Sequence, residues 1–312
     1  MTTPDSIVSP HSTSPLDALA LVLGSVEAVR NLRALYLLMT TFAMAALLAG
    51  LAQRAFVANP GVAVLEIAAA FFVAFYGGNA AGIQLMDEAR GVAVRDAADA
   101  VRASLRSAHR VLLVVLALVA AAALFGLLLA ALMWLARPDV SGRLLGSWLF
   151  GLLVPAGVVA VGLALLALGA VVMPLTAPGV WAGAGVATLL LQLCRWTRRR
   201  LLKIALLMAA VSLLTAGVGA LVSFVVVAGG RVVGEVATRV VGVDVPPAQL
   251  MAGLFGYAPV GGVAAAASAH VGAALVGEGI VFALALVLPG VVYLRGTCSV
   301  YLAMCRDDES GR

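Results

Sequence analysis

Two residues that can carry protons lie close together in an apolar stretch near the C-terminal end of the chain. Glu278 sits in HVGAALVGEGIVFALALVLPG, and His270 precedes it by eight residues, on a nearby face of a helix. A carboxylate at the centre of a bilayer costs about 2.5–3.5 kcal/mol, so an acid at this depth indicates a function. One interpretation is a path for protons or ions through this pair. The other is a hydrogen-bonded internal group, or a group in a water-filled outer vestibule.

Two further polar residues lie in an earlier apolar stretch. Glu66 is about one turn inside this stretch, close enough to its end to be partly hydrated, and Asn79 lies in the opposite half. Buried polar groups of this kind are more often satisfied by internal hydrogen bonds than used for transport. Both are nevertheless intramembrane polar candidates beside His270 and Glu278.

Arginines are concentrated in two stretches, 87–110 (DEARGVAVRDAADAVRASLRSAHR) and 185–200 (GVATLLLQLCRWTRRR). At about 100° per residue, both stretches project as amphipathic helices. The apolar side of the first helix is predicted to pack on the bundle and to consist of Val94, Ala97, Ala98, Val101, Leu105 and Ala108. The second helix is more apolar and offers for membrane insertion Leu189, Leu190, Leu193 and Trp196.

The basic side chains of these helices are candidates for contact with anionic phospholipid headgroups, because juxtamembrane Arg clusters are attracted to acidic lipids. The candidates are Arg95, Arg102, Arg106, Arg110, Arg198, Arg199 and Arg200. The alternative interpretation is that they only anchor the helices at the interface and set the topology. A nucleic-acid partner is not supported, since no nucleic-acid-binding module accompanies the basic residues.

Signatures of enzymes, metal sites and cofactor sites do not occur in the chain. It contains no H-E-x-x-H, no G-x-S-x-G and no G-x-x-x-x-G-K-[ST] sequence. The three cysteines have no metal-ligand or redox spacing, and one of the three histidines lies near the N-terminus. We therefore expect no catalytic residues, no metal and no cofactor.

The composition determines the class of protein in which these residues are placed. Hydrophobic residues make up 63% of the 312, charged residues only 11%, and the mean hydropathy is +1.10. A soluble domain carries about 25% charged residues. Apolar runs of roughly 20 residues, long enough to cross a bilayer, recur along the chain. The predicted fold is an all-α membrane protein, a bundle of six transmembrane helices with amphipathic interfacial helices on its cytoplasmic side.

The predicted spans lie in one membrane domain, residues 16–305. A Ser-, Thr- and Pro-rich stretch, 1–15, is predicted to be a disordered tail, and 306–312 a short C-terminal tail. The six spans are predicted at about 34–57, 62–86, 111–136, 144–173, 201–228 and 263–294.

The distribution of basic residues predicts the orientation in the membrane. Among the 20 basic residues, the five on one predicted side are Arg54, Arg137, Arg143, Arg231 and Arg239, and the others lie on the opposite side. Because cytoplasmic loops collect Lys and Arg, both termini are predicted to be cytoplasmic, in a multi-pass protein of the cell inner membrane.

A repeated layout is visible when three segments are compared. In 27–50, 105–126 and 193–217, a basic helix leads into a span, and a glycine follows at a similar distance. One interpretation is a helix–span–span unit that occurs three times. The other is that any span running from inside to outside begins after basic residues.

Three stretches resemble a group of bacterial six-span inner-membrane proteins. They are GGNAAGIQLMDEARGVAVRDAADAVRASLRSAHRVLLVVL (77–116), MPLTAPGVWAGAGVATLLLQLCRWTRRRLLKIALL (173–207) and VVYLRGTCSVYLAMC (291–305). The group is that of the YciC-like proteins, with the related membrane domain of glycerophosphoryl-diester phosphodiesterases. The resemblance is one of layout and implies the six-span fold. No catalytic phosphodiesterase domain is present, so that activity is not implied.

Two functions are compatible with these observations. The first is a non-enzymatic component at the lipid interface, acting in lipid handling or as a scaffold, with the bilayer and anionic headgroups as partners. The alternative is a transporter or channel for a small solute or ion that uses His270 and Glu278. The sequence alone defines neither a protein partner nor an oligomeric state.

Overall fold

A computed structural model describes residues 20, 23–241 and 269–310, and every regular element in these ranges is helical. Six helical stretches are long and apolar enough to cross a membrane. The predicted all-α fold with six membrane spans is confirmed. The predicted tail 1–15 and the first part of the predicted sixth span, 263–268, lie outside the described residues.

Short connections join the helices from α1 to α8. In chain order they are α1 (Leu32–Ala58), α2 (Pro60–Ala89), α3 (Ala97–Ser107), α4 (His109–Leu135), α5 (Pro138–Ser141), α6 (Arg143–Ala167), α7 (Met173–Trp181), α8 (Val186–Val241) and α9 (Ala269–Ser310). A 3₁₀ helix, Gly24–Arg30, precedes α1, and a π-helical turn, Leu168–Val172, joins α6 to α7.

Asparagine side chains define where the first two spans begin. The side chain of Asn31 accepts a hydrogen bond from the backbone N–H of Ala34 at the start of α1. Asn59 ends α1 and caps α2 in the same way, by accepting from the N–H of Val62, while Pro60 occupies the first turn of α2. Such caps satisfy helix N–H groups that have no partner within the helix. The two spans therefore form a tight helical hairpin.

Three spans are each preceded by a short helical segment and a break in the helix. The 3₁₀ helix is separated from α1 at Asn31, and α3 from α4 at Ala108. Within α8 the break is at Arg200, whose φ of −135° and ψ of 18° are not helical. We call residues 186–199 the pre-kink segment. The repeat of a helix followed by two spans stays a prediction.

The buried core is concentrated at one end of the bundle. We call this end, which contains α3, α7, the pre-kink segment and the C-terminal end of α9, the basic end. Large, fully buried side chains lie there, among them Leu85, Leu175, Leu193, Trp196 and Met304. In the other half of the bundle α4 and α6 expose Leu124 and Leu152, each by more than 60%. Such surfaces suit contact with lipid chains.

The last helix continues past the predicted limit at residue 294 to Ser310. Its final turns belong to the core, since Cys298, Val300, Tyr301 and Met304 are buried. The acids of these turns are tolerated because they bond to Trp196, Arg200 and Lys203 of α8 rather than face lipid. The residues from 306 to 310 are therefore helical, whereas the sequence predicts a tail there.

Candidate functional site

Arg95 is tied to the end of α2 and does not lie on an interfacial helix. The helix predicted to include it begins only at Ala97, and residues 93–96 carry no regular secondary structure. Arg95 Nε lies 3.0 Å from Oδ2 of the buried Asp87. Its carbonyl oxygen accepts a hydrogen bond from Gln84 Nε2 at 3.0 Å. Arg95, one of the predicted headgroup ligands, thus holds the connection between α2 and α3.

The packing face of α3 differs from the predicted one. Ala108 is buried as predicted, but so are Ala100 and Ser104, which were not on the predicted side. The hydroxyl of Ser104 donates to the carbonyl oxygen of Tyr76 at 2.7 Å. Leu105, which was expected on the packing side, is 47% exposed. Small side chains allow the backbones of two helices to approach closely, so they make the contact and the larger leucine faces outward.

The remaining arginines of this region lie at the surface. Arg102 pairs with Asp99 at 3.3 Å, and both side chains are largely exposed. Arg106 is exposed and Arg110 is half-buried. Within the described ranges neither of these two side chains has a hydrogen-bond or ion-pair partner. Arg106 and Arg110 are thus free to contact lipid headgroups.

A second set of charges joins α2 to α9 and α7. Asn31 Nδ2 donates to Glu88 Oε2, and Arg295 Nε lies 3.7 Å from Glu88 Oε1. Arg90 Nη2 donates to the carbonyl oxygen of Ala182 at 2.8 Å. These contacts neutralise Glu88 and satisfy a carbonyl oxygen just beyond the C-terminal end of α7. Both arginines of this set therefore bond within the protein.

The C-terminal end of α9 is held by the break in α8. Asp307 is buried, and its carboxylate contacts Arg200 Nη1 at 3.2 Å and also Lys203 Nζ. Asp308 lies 3.3 Å from Arg200 Nη2 and accepts a hydrogen bond from Trp196 Nε1 at 2.8 Å. Acidic residues in the last turn of a helix oppose the helix dipole, so cations beside them stabilise the turn. Arg200, another predicted headgroup ligand, has this internal role.

The pre-kink segment places its large apolar side chains inside the protein. Leu189, Leu193 and Trp196 are fully or almost fully buried, and the ring of Trp196 packs edge-on against Tyr301 with centroids 5.5 Å apart. The prediction that these three side chains insert into the membrane is wrong, because α7 and α9 cover that face. The large apolar side chain that the segment exposes is Leu191, at 69%.

The outer face of the pre-kink segment is basic and forms the walls of two adjoining grooves. The first groove, of about 390 Å³, lies between this segment and α9 and is lined by Thr188, Leu191, Gln192, Arg195, Cys305, Asp308 and Glu309. The second shares two of these residues and is lined by Leu191, Cys194, Arg195, Arg198 and Arg199.

The three arginines of this outer face differ from Arg200. Arg195, Arg198 and Arg199 are exposed, and in the part of the chain that the structure describes none of them forms an ion pair or side-chain hydrogen bond. An unpaired guanidinium group presents five N–H donors in a fork that matches a phosphate. The surface formed by Arg195, Arg198 and Arg199, which we call the arginine face, is therefore suited to bind phosphate groups.

Asn79 and Glu66 lie in opposite halves of α2 and are not brought together by the fold. Asn79 is buried, donates to the carbonyl oxygen of Phe75 at 2.8 Å and accepts from Trp181 Nε1 at 2.9 Å, so it is a satisfied internal group. Glu66 lies toward the other end of α2, and its Oε2 is shielded without a partner among the described residues. Glu278 and His270 lie on α9, and their side chains are outside the described residues.

The acids at the end of α9 are not among the site residues predicted from the sequence. Asp307, Asp308 and Glu309 were assigned to a tail, although three acids in succession oppose the basic run 198–200 in charge. The sequence feature that could have indicated the contact is the opposite charge of these two short runs, which lie on the same predicted side of the membrane. No local spacing relates them, because Arg200 and Asp307 meet only through the tertiary fold.

Comparisons of the chain with protein-family models, with curated proteins and with solved structures found no match. The resemblance to YciC-like proteins therefore stays a prediction.

Within the described ranges, no three His, Cys, Asp or Glu side chains are grouped so that they could hold a metal ion.

Proposed function

We propose that this chain is a non-enzymatic, multi-pass protein of a bacterial inner membrane that retains phospholipids at its basic end, as a lipid-handling or scaffold component. In this proposal both termini and the basic end face the cytoplasm, in keeping with the excess of Lys and Arg on that side. Anionic headgroups are held by the arginine face, with Arg106 and Arg110 as additional contacts.

The observation that carries the proposal is the division of the arginines into two sets. Arg95, Arg200 and Arg295 contact carboxylates inside the basic end. The arginine face has no such partner among the described residues. An exposed cluster of arginines that forms no ion pair does not stabilise the packing of the helices. At headgroup depth the same cluster attracts acidic lipids.

The apolar neighbours of the arginine face support contact with whole lipids. Leu191 lines both grooves, and Leu202, just after the break in α8, is 72% exposed. A guanidinium group beside an exposed leucine matches the boundary between headgroup and acyl chain. The arrangement therefore fits a phospholipid better than a free anion.

The proposal is tested by removing two exposed arginines, Arg198→Ala with Arg199→Ala, and measuring retained phosphatidylglycerol by native mass spectrometry of the purified protein. Each basic side chain near an anionic surface contributes about 1 kcal/mol, so removal of two should lower retention about thirtyfold.

The matched control removes two exposed arginines from the opposite end of the bundle, Arg137→Ala with Arg231→Ala. This variant has the same net charge as the test variant. It should retain as much phosphatidylglycerol as the unchanged protein. Equal losses in both variants would show that only net charge matters and would refute a site on the arginine face.

A further inference from the structure

We infer that the groove between the pre-kink segment and the C-terminal end of α9 binds the headgroup of phosphatidylethanolamine. The phosphate lies at the arginine face, and the ammonium group lies at the carboxylates of α9. This inference rests on the proposed function, because it names the lipid held at one part of the basic end.

The groove carries opposite charges on its two walls. Arg195 lies on the wall formed by the pre-kink segment, and Asp308 and Glu309 lie on the wall formed by α9. Arg195 also lines the second groove beside Arg198 and Arg199, so the positive side continues outward. The volume of about 390 Å³ is within the range of roughly 300–1,000 Å³ typical of small-molecule sites. A ligand with a negative and a positive group fits these walls better than a simple anion.

Among the described residues, no cation forms an ion pair with Glu309 on the wall formed by α9. Arg200 and Lys203 contact Asp307 and Asp308, but Glu309 is exposed and has no recorded partner in the described chain. The negative end of the helix dipole adds to the charge of Glu309. Arg306, the remaining cation of this turn, is exposed and does not line the groove. An ammonium group of a ligand would complete the charge balance at Glu309.

Neutral acceptors in the groove favour a primary ammonium group over a quaternary one. Gln192 is fixed between α8 and α9, since its Nε2 donates to Cys305 Sγ at 3.5 Å and its Oε1 accepts from the Tyr301 hydroxyl at 3.4 Å. An amide oxygen has two lone pairs, so Oε1 can accept a second hydrogen bond. Ethanolamine carries three N–H donors and choline carries none. The site should therefore distinguish phosphatidylethanolamine from phosphatidylcholine.

The test measures lipid retention by the full-length protein in detergent. Equal amounts of phosphatidylethanolamine, phosphatidylcholine and phosphatidylglycerol with identical acyl chains are offered together, and bound lipids are counted by native mass spectrometry. The unchanged protein should retain phosphatidylethanolamine about fivefold over phosphatidylcholine, as expected for one charge-assisted hydrogen bond at a partly exposed site. Equal retention of these two lipids by the unchanged protein would overturn the inference.

Two single substitutions separate the two walls. Glu309→Gln removes a carboxylate that can accept an N–H bond from ethanolamine but not from choline, so it should reduce the preference over phosphatidylcholine without unfolding the protein. Arg195→Ala should lower the retention of all three lipids. The control is Glu27→Gln, which changes another exposed acid near the start of α1 and should leave the preference unchanged. A preference that is undiminished in Glu309→Gln, or that is lost in Glu27→Gln, contradicts the assignment.

Two further measurements separate a lipid from a soluble ligand, and separate failure of this inference from failure of the proposed function. Soluble phosphoethanolamine should raise the unfolding temperature less than the intact lipid does at equal concentration; an equal or larger effect would indicate a soluble ligand and overturn the lipid assignment. Retention of phosphatidylglycerol reports the proposed function through Arg198 and Arg199. If Glu309→Gln changes nothing while Arg198→Ala with Arg199→Ala releases phosphatidylglycerol, only the ethanolamine inference fails.

Discussion

Arg200 Nη1 lies 3.2 Å from the carboxylate of the buried Asp307, at the point where α8 breaks. Its two preceding neighbours, Arg198 and Arg199, are exposed and have no acid partner in the described chain. The break directs one arginine of the run toward α9 and leaves two on the outer surface. A single basic run therefore serves both the fold and the membrane interface.

The first prediction concerns the carboxylate at the centre of this contact. Asp307→Asn should lower the free energy of unfolding by about 2 kcal/mol, because it leaves two cations beside a neutral side chain. The value lies below that for a fully buried pair, since the Arg200 and Lys203 side chains are 27% and 33% exposed. Thermal unfolding in detergent measures the change.

Asp99→Asn is the matched control for this prediction. The side chain of Asp99 is 64% exposed and pairs with Arg102 on the surface of α3. Exposed pairs of this kind contribute well under about 1 kcal/mol. An equal loss of stability in both variants would mean that the contact with Arg200 does not hold α9.

A second prediction concerns the close contact between α2 and α7. A Cβ atom on Gly82 would lie 2.2 Å from the indole ring of Trp181, so Gly82→Ala must displace a buried ring. Overpacking of this kind costs about 1–3 kcal/mol. In contrast, nothing lies within 4 Å of a Cβ on Gly126 in α4, so Gly126→Ala should leave stability unchanged or raise it. Unfolding temperatures compare the two, and a tolerated Gly82→Ala would contradict the packing of α2 on α7.

A third prediction concerns the hydrogen bond between Trp181 and Asn79. Trp181→Phe removes the donor and leaves the buried Asn79 Oδ1 unsatisfied, which costs about 1–3 kcal/mol besides the lost contacts of the ring. Adding Asn79→Leu removes the orphaned amide and should recover part of this loss. Unfolding free energies of the two single variants and the double variant measure the coupling. Strictly additive effects would show that the hydrogen bond does not contribute.

The helical class and the number of spans could be predicted because hydropathy over about 20 residues is a strong local signal. The packing faces could not be predicted in this way. A hydrophobicity ranking places Leu105 inside, whereas the structure buries Ala100 and Ser104. In lipid a large apolar side chain gains little from burial, and close approach of small residues determines the contact.

The roles of individual arginines also could not be predicted from the local sequence. Arg95 was expected on a continuous helix, but Gly91, with φ of +70°, turns the chain after α2 and lets Arg95 reach Asp87. The separation of Arg200 from Arg198 and Arg199 depends on the break in α8 and on acids more than 100 residues away. Such contacts can be identified only from the tertiary structure, whereas the excess of basic residues at one end can be predicted from the sequence.

The most direct test of this division compares two variants, the double variant Arg198→Ala/Arg199→Ala and the single variant Arg200→Ala. Retained phosphatidylglycerol and the unfolding temperature are measured on the same samples. The double variant should retain about thirtyfold less phosphatidylglycerol while its unfolding temperature stays unchanged. Arg200→Ala should unfold at a temperature several degrees lower. Full lipid retention by the double variant, or a loss of stability equal to that of Arg200→Ala, would contradict the assignment of the arginine face to lipid headgroups.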